Sequence, residues 1–220
     1  TMSVSSAQAA GFWLLDQGAS NFARAGANVV APGDPTAVYL NPAGLTELRG
    51  FQLMLGGNMI ADSRSFLRAP ELDSSEVDYT HYTAGREYET VENEASVVPS
   101  PNVFSAYNFE AVGLPELTMG FGVWGPPRAD LQLDEDGPQR YSTINSYNVQ
   151  AHYGLAAAYA IPWQKLSLGL TVMGITQQVD TKLKLNVPLL AGGVVEDPDK
   201  DIGVTINTNQ HGILSAVAGL

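Results

Sequence analysis

Cysteine is absent from the 220 residues, so they hold neither a disulfide framework nor a thiolate metal site. Basic side chains are few: 11 Lys and Arg stand against 23 Asp and Glu, for a net charge of -12. Such a balance cannot neutralise a row of phosphates, which excludes a nucleic-acid binder. Long apolar runs are missing too, and none approaches the roughly 20 residues a membrane-spanning helix needs. That absence leaves barrel strands open, because alternating residues cross a bilayer with hydropathy near zero. The mean hydropathy is -0.03.

Catalytic constellations are also lacking. His81, His152 and His211 stand alone, none with a second ligand at metal-binding spacing. There is no nucleophile elbow and no Gly-rich phosphate loop opening a helix. Two acidic loops fail the calcium-loop pattern. The first, around Asp134–Gly137, has Gln132 in place of the leading acid and Thr143 in place of the closing glutamate. The second, Asp197–Asp201, has Ile202 where glycine belongs and closes on Thr208. Neither an enzyme, a metal site nor a cofactor is expected.

What is present falls into three parts. Residues 1–9 contain Ala7-Gln8-Ala9, a small-x-small pattern of the kind signal peptidase cuts after, and are read as a signal-peptide remnant. Residues 10–50 show neither strand alternation nor a long helical period. Asp34-Pro35 and Asn41-Pro42 each place a capping side chain before a proline at the first helical position, predicting two very short helices. This part is expected to be a compact plug.

From Phe51 onward the texture is that of strands. Phe51, Leu53, Leu55, Gly57 and Met59 fall on one face. Leu117, Met119, Phe121 and Val123 do the same, with Thr118, Gly120, Gly122 and Trp124 opposite. In the clearest strand Tyr147, Val149, Ala151, Tyr153, Leu155, Ala157, Tyr159 and Ile161 face one way, and small or polar residues with His152 face the other. A tight link at Pro162–Lys165 returns the chain into Leu166, Leu168, Leu170 and Val172. The strands exceed the usual ~5–6 residues and reach the ~9–11 that cross a bilayer. Connections alternate long and short, as in outer-membrane barrels. Tyrosines bracket the apolar face as a girdle would. A soluble β sandwich shows the same alternation, so a soluble β-rich binding protein remains an alternative, as does a general diffusion porin.

The segments "AGFWLLDQGASNFARAGANVVA", "NPAGL" and "YNVQAHYGLAAAYAIPWQKLSLGLTVMGI" resemble the FadL-type outer-membrane transporters of long-chain fatty acids and other hydrophobic compounds. The resemblance implies an all-β fold: a transmembrane antiparallel β-barrel of fourteen strands when complete, with an N-terminal hatch of short helices. Residues 51–220 would supply the first six to seven strands, about half the barrel, so the chain is expected to be a fragment or to need its other half. Asn41, Pro42 and Ala43 match the hatch motif. Phe12, Trp13, Leu14 and Trp124 are candidates for binding a hydrophobic ligand. Gly120, Gly122, Gly125 and Pro126 are candidates for an inward kink in the third strand that opens a lateral route to the bilayer. The implied partners are fatty acids or aromatic hydrocarbons, outer-membrane lipid and lipopolysaccharide, and the barrel-assembly machinery. The implied location is the outer membrane of a Gram-negative bacterium, as a monomer.

Overall fold

The structure, a computed structural model, describes residues 19–30, 32–68, 88–126, 128, 130–187 and 198–220. Among the described residues, nine strands follow two short helices and a 3-10 segment. The strands are β1 (Phe51–Asn58), β2 (Ser65–Phe66), β3 (Val91–Glu92), β4 (Ser100–Phe109), β5 (Leu114–Trp124), β6 (Leu131–Gln132), β7 (Asn145–Ile161), β8 (Leu166–Leu185) and β9 (Ile202–Gly219). One antiparallel sheet runs in the order β1-β4-β5-β7-β8-β9, with β6 added beside the upper part of β7. The remaining two, β2 and β3, pair with each other.

Consecutive long strands are neighbours throughout, the meander that antiparallel hairpins produce. The tight turns come where the sequence places them. A 3-10 turn, Glu110–Val112, ends on left-handed Gly113 and joins β4 to β5. At the other short link Lys165 takes a positive φ of 49° before β8. This first turn is shorter than the sequence suggests, because β5 already starts at Leu114 through an irregular pairing with Phe109. Strands β7, β8 and β9 have 17, 20 and 18 residues, well beyond one bilayer crossing of about 9–11. No helix among the described residues is long and apolar enough to cross a membrane.

Burial separates a barrel wall from a sandwich. The apolar faces are the exposed ones: Phe51 is 67% exposed, Leu155 65% and Leu55 71%. Phe121, Leu155, Val172 and Ala216 form one cross-strand row of that outer face. The opposite face, with Phe104, Ala106, Thr118, Ala156, Ala158 and Thr171, is buried beneath the N-terminal segment. A soluble sandwich would bury the apolar face and wet the small polar one, which is the reverse of what is found. Aromatic residues flank the lower edge of the exposed face, where Tyr107 and Phe109 meet edge to face at 5.0 Å. Tyr159 and Trp163 lie beside the other lower turn.

Candidate functional site

The buried side of the sheet carries the N-terminal segment, in which Asn41-Pro42 caps as the sequence predicts, whereas Asp34-Pro35 lies just ahead of its helix and Thr36 takes the cap position with no side-chain bond. Asp34 accepts hydrogen bonds from the Thr36 amide (2.9 Å) and hydroxyl, opening helix α2 (Ala37–Leu40), the second after α1 (Ala19–Ala23). Asn41 then leaves the helix in an extended conformation, and its Oδ1 accepts from the Ala43 amide at 3.2 Å. Pro42 starts the 3-10 segment Pro42–Glu47 without wasting an amide donor.

Two wall glycines receive this turn. Gly169 of β8 and Gly219 of β9 are direct partners in the ladder. A β-carbon on Gly169 would overlap the backbone of Pro42 and Ala43, and one on Gly219 would overlap Asn41 Oδ1. Hydrogen bonds fasten the contact. Asn41 Nδ2 donates to the Leu220 carbonyl (3.3 Å), and the Thr46 and Ser167 hydroxyls lie 2.8 Å apart. Thr171 Oγ1 donates to the Val38 carbonyl at 2.6 Å, where both groups are buried. Val38 itself needs Gly120, since a β-carbon there would come within 2.7 Å of Val38 Cγ2.

A second glycine pair seats an aromatic stack. Gly122 and Gly154 are ladder partners, and the Trp124 indole lies over them, with its ring atoms 2.9 to 3.2 Å from where their β-carbons would stand. Tyr39 of α2, Phe104 of β4 and Trp124 form a triangle with every pair of ring centroids 5.6 Å apart. His152 packs on the far side of Trp124 at 5.4 Å. Trp124 therefore points inward, as the sequence indicates, and it touches the N-terminal segment directly.

Beyond Trp124 the ladder changes hands. The register of β5 with β7 ends at Trp124↔His152, and β6 resumes it at Leu131↔Ser146. Between them Tyr147–Ala151 have no ladder partner on that side among the described residues. Ser100 Oγ lies 3.2 Å from both the Gly125 and Pro126 carbonyls, where one shared proton can be donated to the two. A β-carbon on Gly125 would overlap the Gln150 carbonyl, so the chain still brushes β7 as it leaves. Of the four residues expected at an inward kink, Gly120 and Gly122 lie in unbroken register with both neighbours and serve as packing sites. Regular pairing is lost at Gly125 and Pro126.

Polarity inverts along β8 and β9, whereas β7 keeps Ser146, Asn148 and Gln150 on its inner face. Below Met173 the outer face holds Leu166, Leu168, Leu170 and Val172. Higher up, the outer face turns to Gln178, Asp180 and Lys182, whereas Ile175, Val179 and Leu183 share the inner face with His152. On β9 an extra residue sits opposite Thr176, with Gly212 at φ 73°. The resulting bulge shifts the strand's parity and brings Val204 and Ile206 to the same inner face as Ile213.

The outer loops are fixed by charge. Arg140 Nε meets Asp201 at 2.8 Å, Tyr141 donates to the same carboxylate at 3.1 Å, and both side chains of the ion pair are buried. Burial would lower the Arg140 pKa, but the bond to Asp201 and the contact with Tyr141 outweigh it and raise the pKa above its ordinary value. Lys184 holds Asp136 at 2.6 Å and Lys182 holds Glu135 at 2.8 Å. A cavity of about 690 Å³ among these loops is walled largely by Glu89, Glu92, Glu94, Asp134 and Asp136, a lining unsuited to an apolar ligand. Among the described residues no group of three His, Asp or Glu side chains is placed to hold a metal ion.

Phe12, Trp13, Leu14 and the Ala7-Gln8-Ala9 pattern lie outside the described residues. Asn41, Pro42 and Ala43 come together on the wall, apart from Trp124. The sequence reading missed Tyr39, Ser100, Gly154, Gly169 and Gly219 as contact residues. Apart from Tyr39, which lies in α2, their common signal is a small residue facing inward at a strand position, which gains meaning only once the register pairs it.

The sequence matches, over residues 1–216, the family described as outer membrane protein transport protein (OMPP1/FadL/TodX). The fold is similar to the crystal structure of a Pseudomonas aeruginosa FadL homologue, with a TM-score of 0.70 at 15% identity. That likeness covers 94% of this chain and 48% of the other, so the chain spans about half its length. No curated protein matches. On the family match, and with a fold of the same kind, the chain belongs to the FadL/TodX family of outer-membrane transport proteins.

Proposed function

We propose that the complete protein takes up hydrophobic compounds, long-chain fatty acids or aromatic hydrocarbons, passively across the outer membrane. In this reading residues 10–50 form a hatch inside the barrel, and the break beyond Trp124 is the lateral way out to the bilayer. The observation that carries it is the polarity inversion, which puts Ile175, Val179, Leu183, Val204 and Ile206 on the inner face above the lipid belt. Water has no use for such a surface, and an apolar solute does. Each methylene buried there gains about 0.8 kcal/mol, and it gains about as much again in lipid. Movement from lumen to bilayer is then nearly level in free energy and needs no energy source.

A general diffusion porin would place charge at a wide constriction. The inner faces of the long strands here carry no charged side chain besides His152 among the described residues. Trp124 is proposed to line the apolar path, with Phe12, Trp13 and Leu14 joining it from the N-terminal end. The protein would work as a monomer among outer-membrane lipid and lipopolysaccharide, after insertion by the barrel-assembly machinery. The test is uptake of labelled fatty acid and labelled aromatic hydrocarbon by a transporter-deficient strain carrying the full-length protein. Heat-modifiable gel mobility would confirm a folded barrel in the same cells. Uptake of neither compound by cells with folded barrel in the membrane would sink the proposal.

A further inference from the structure

Glutamines stand side by side on the inner face. Gln150 of β7 pairs with Gln177 of β8, and Gln177 pairs with Gln210 of β9, so a single cross-strand row carries their three carboxamides. Gln177 Nε2 donates to Asn148 Oδ1 at 3.2 Å, which sets a further amide beside the row. Gln210 is exposed, and Gln150 and Gln177 are half-buried. The row depends on the β9 bulge. Ile213 faces Ile175, but the extra residue at His211–Gly212 sets Gln210 opposite Gln177, where an unbroken ladder would have set His211. Bulges of this kind re-aim side chains and gather near functional sites. One row below, His152, Ile175 and Ile213 are partners, and Trp124 packs on His152. Above it, Val179, Leu183, Val204 and Ile206 lie on the same face. The amides are therefore a hydrogen-bonding band between two stretches rich in apolar side chains.

Such a band discriminates among solutes by their polar group. A carboxamide both donates and accepts hydrogen bonds, and so does a hydroxyl. A bare hydrocarbon lying across the row strips water from the amides and returns no bond, which is costly for each group left unmatched. A carboxylate can only accept, and its charge finds no Lys or Arg on the inner faces of β7, β8 and β9 among the described residues. We infer that Gln150, Gln177 and Gln210 bind the uncharged, hydrogen-bonding head of an otherwise apolar solute, such as the hydroxyl of a long-chain alcohol. The tail then lies along the apolar side chains next to the row. The inference rests on the uptake of hydrophobic compounds proposed above and narrows its substrate class: a neutral head ranks above a carboxylate and above a plain hydrocarbon.

The test uses the full-length protein and probes that share one chain length: dodecanol, dodecane and dodecanoate. Calorimetry on purified protein gives affinities, and labelled probes give uptake by a transporter-deficient strain. Gln177→Met keeps the length of the side chain and removes the amide. Dodecanol affinity should fall about tenfold, while dodecane affinity holds or rises. Gln210→Met should repeat this result from an exposed position, where the substitution is least able to disturb folding. Gln177→Lys supplies the missing cation and should raise dodecanoate above dodecanol. Gln178→Met, on the outer face, should change nothing. Heat-modifiable gel mobility shows that each variant is folded. Equal dodecanol affinity in the wild type and both methionine variants would overturn the inference, even with uptake intact. A parallel loss of all three probes would also defeat it, because that is what a purely structural role produces. Affinities that shift as expected, without uptake of any probe, would uphold the head-group site and overturn the transport reading instead.

Discussion

Gly169 and Gly219 stand opposite each other on β8 and β9, and the backbone of Asn41–Ala43 rests where their side chains would be. The contact is with main-chain atoms, which cannot rotate away as a side chain could. Gly169→Val should therefore lift the turn off the wall at a cost of about 1–3 kcal/mol. Hydrogen exchange should show it as lost protection at Gly44 and Leu48, whose amides close this turn on the Asn41 and Leu45 carbonyls. The β4–β5 ladder should be unaffected. Protection unchanged at those two amides would mean the turn is held by its other contacts.

Asn41 contributes a different kind of support. Its Oδ1 caps the Ala43 amide and its Nδ2 reaches the Leu220 carbonyl, so one side chain serves both the turn and the wall. Asn41→Ala should cost about 0.5–2 kcal/mol of local stability, the usual range for a lost cap. Asn41→Asp keeps the cap and loses the donor to Leu220. If the wall contact matters, the aspartate variant should fall between wild type and alanine in exchange protection of the segment. An aspartate variant as weak as alanine would assign the whole effect to the wall.

These elements show which parts of the fold could be read in advance. Caps are local, and Asp34-Pro35 and Asn41-Pro42 announce their short helices without help from the rest of the chain. Strand faces are nearly local, since alternation from Tyr147 to Ile161 fixes which side chains point together. Which face meets lipid is not local, and strand length with tyrosine placement was needed to choose it. The glycine seats were illegible because Gly122 meets Gly154, and Gly169 meets Gly219, only through register. Gly120 and Gly122 therefore read as weak points in a strand when they are sites of close packing. The parity shift on β9 was hidden for a similar reason, as a one-residue bulge leaves no mark in composition.

The outer loops should respond to acid. Lys184 lowers the Asp136 pKa below its ordinary 3.8, first through their hydrogen bond and then through charge. A carboxyl whose folded pKa lies below its unfolded one stabilises the folded loop fully above the unfolded value. That stabilisation drains away as pH falls through the lower, folded value. Protease resistance of the Asp134–Arg140 loop should thus hold from neutrality to about pH 4 and decline below it. Lys184→Gln should flatten the profile, and added salt should weaken it, because the carboxylate is largely exposed. A profile that persists in Lys184→Gln would point to another acid.

The height of the lipid belt can be mapped by single arginines on the outer face. Leu155 lies on that face between Tyr153 and Tyr159, in a row with Phe121 and Val172. Gln178 is on the same face of the neighbouring strand, beside Val149 and above the inversion. An arginine near the bilayer midplane costs roughly 2–4 kcal/mol, and one near the interface about 0–1. Leu155→Arg should thus cost the larger amount and Gln178→Arg almost nothing, measured by reversible folding of the full-length protein into phosphatidylcholine vesicles. The contrast separates lipid from water as the solvent of each position, because both side chains lie on the outer face, Leu155 exposed and Gln178 half-buried. Equal costs at the two positions would place the belt elsewhere along β7 and β8.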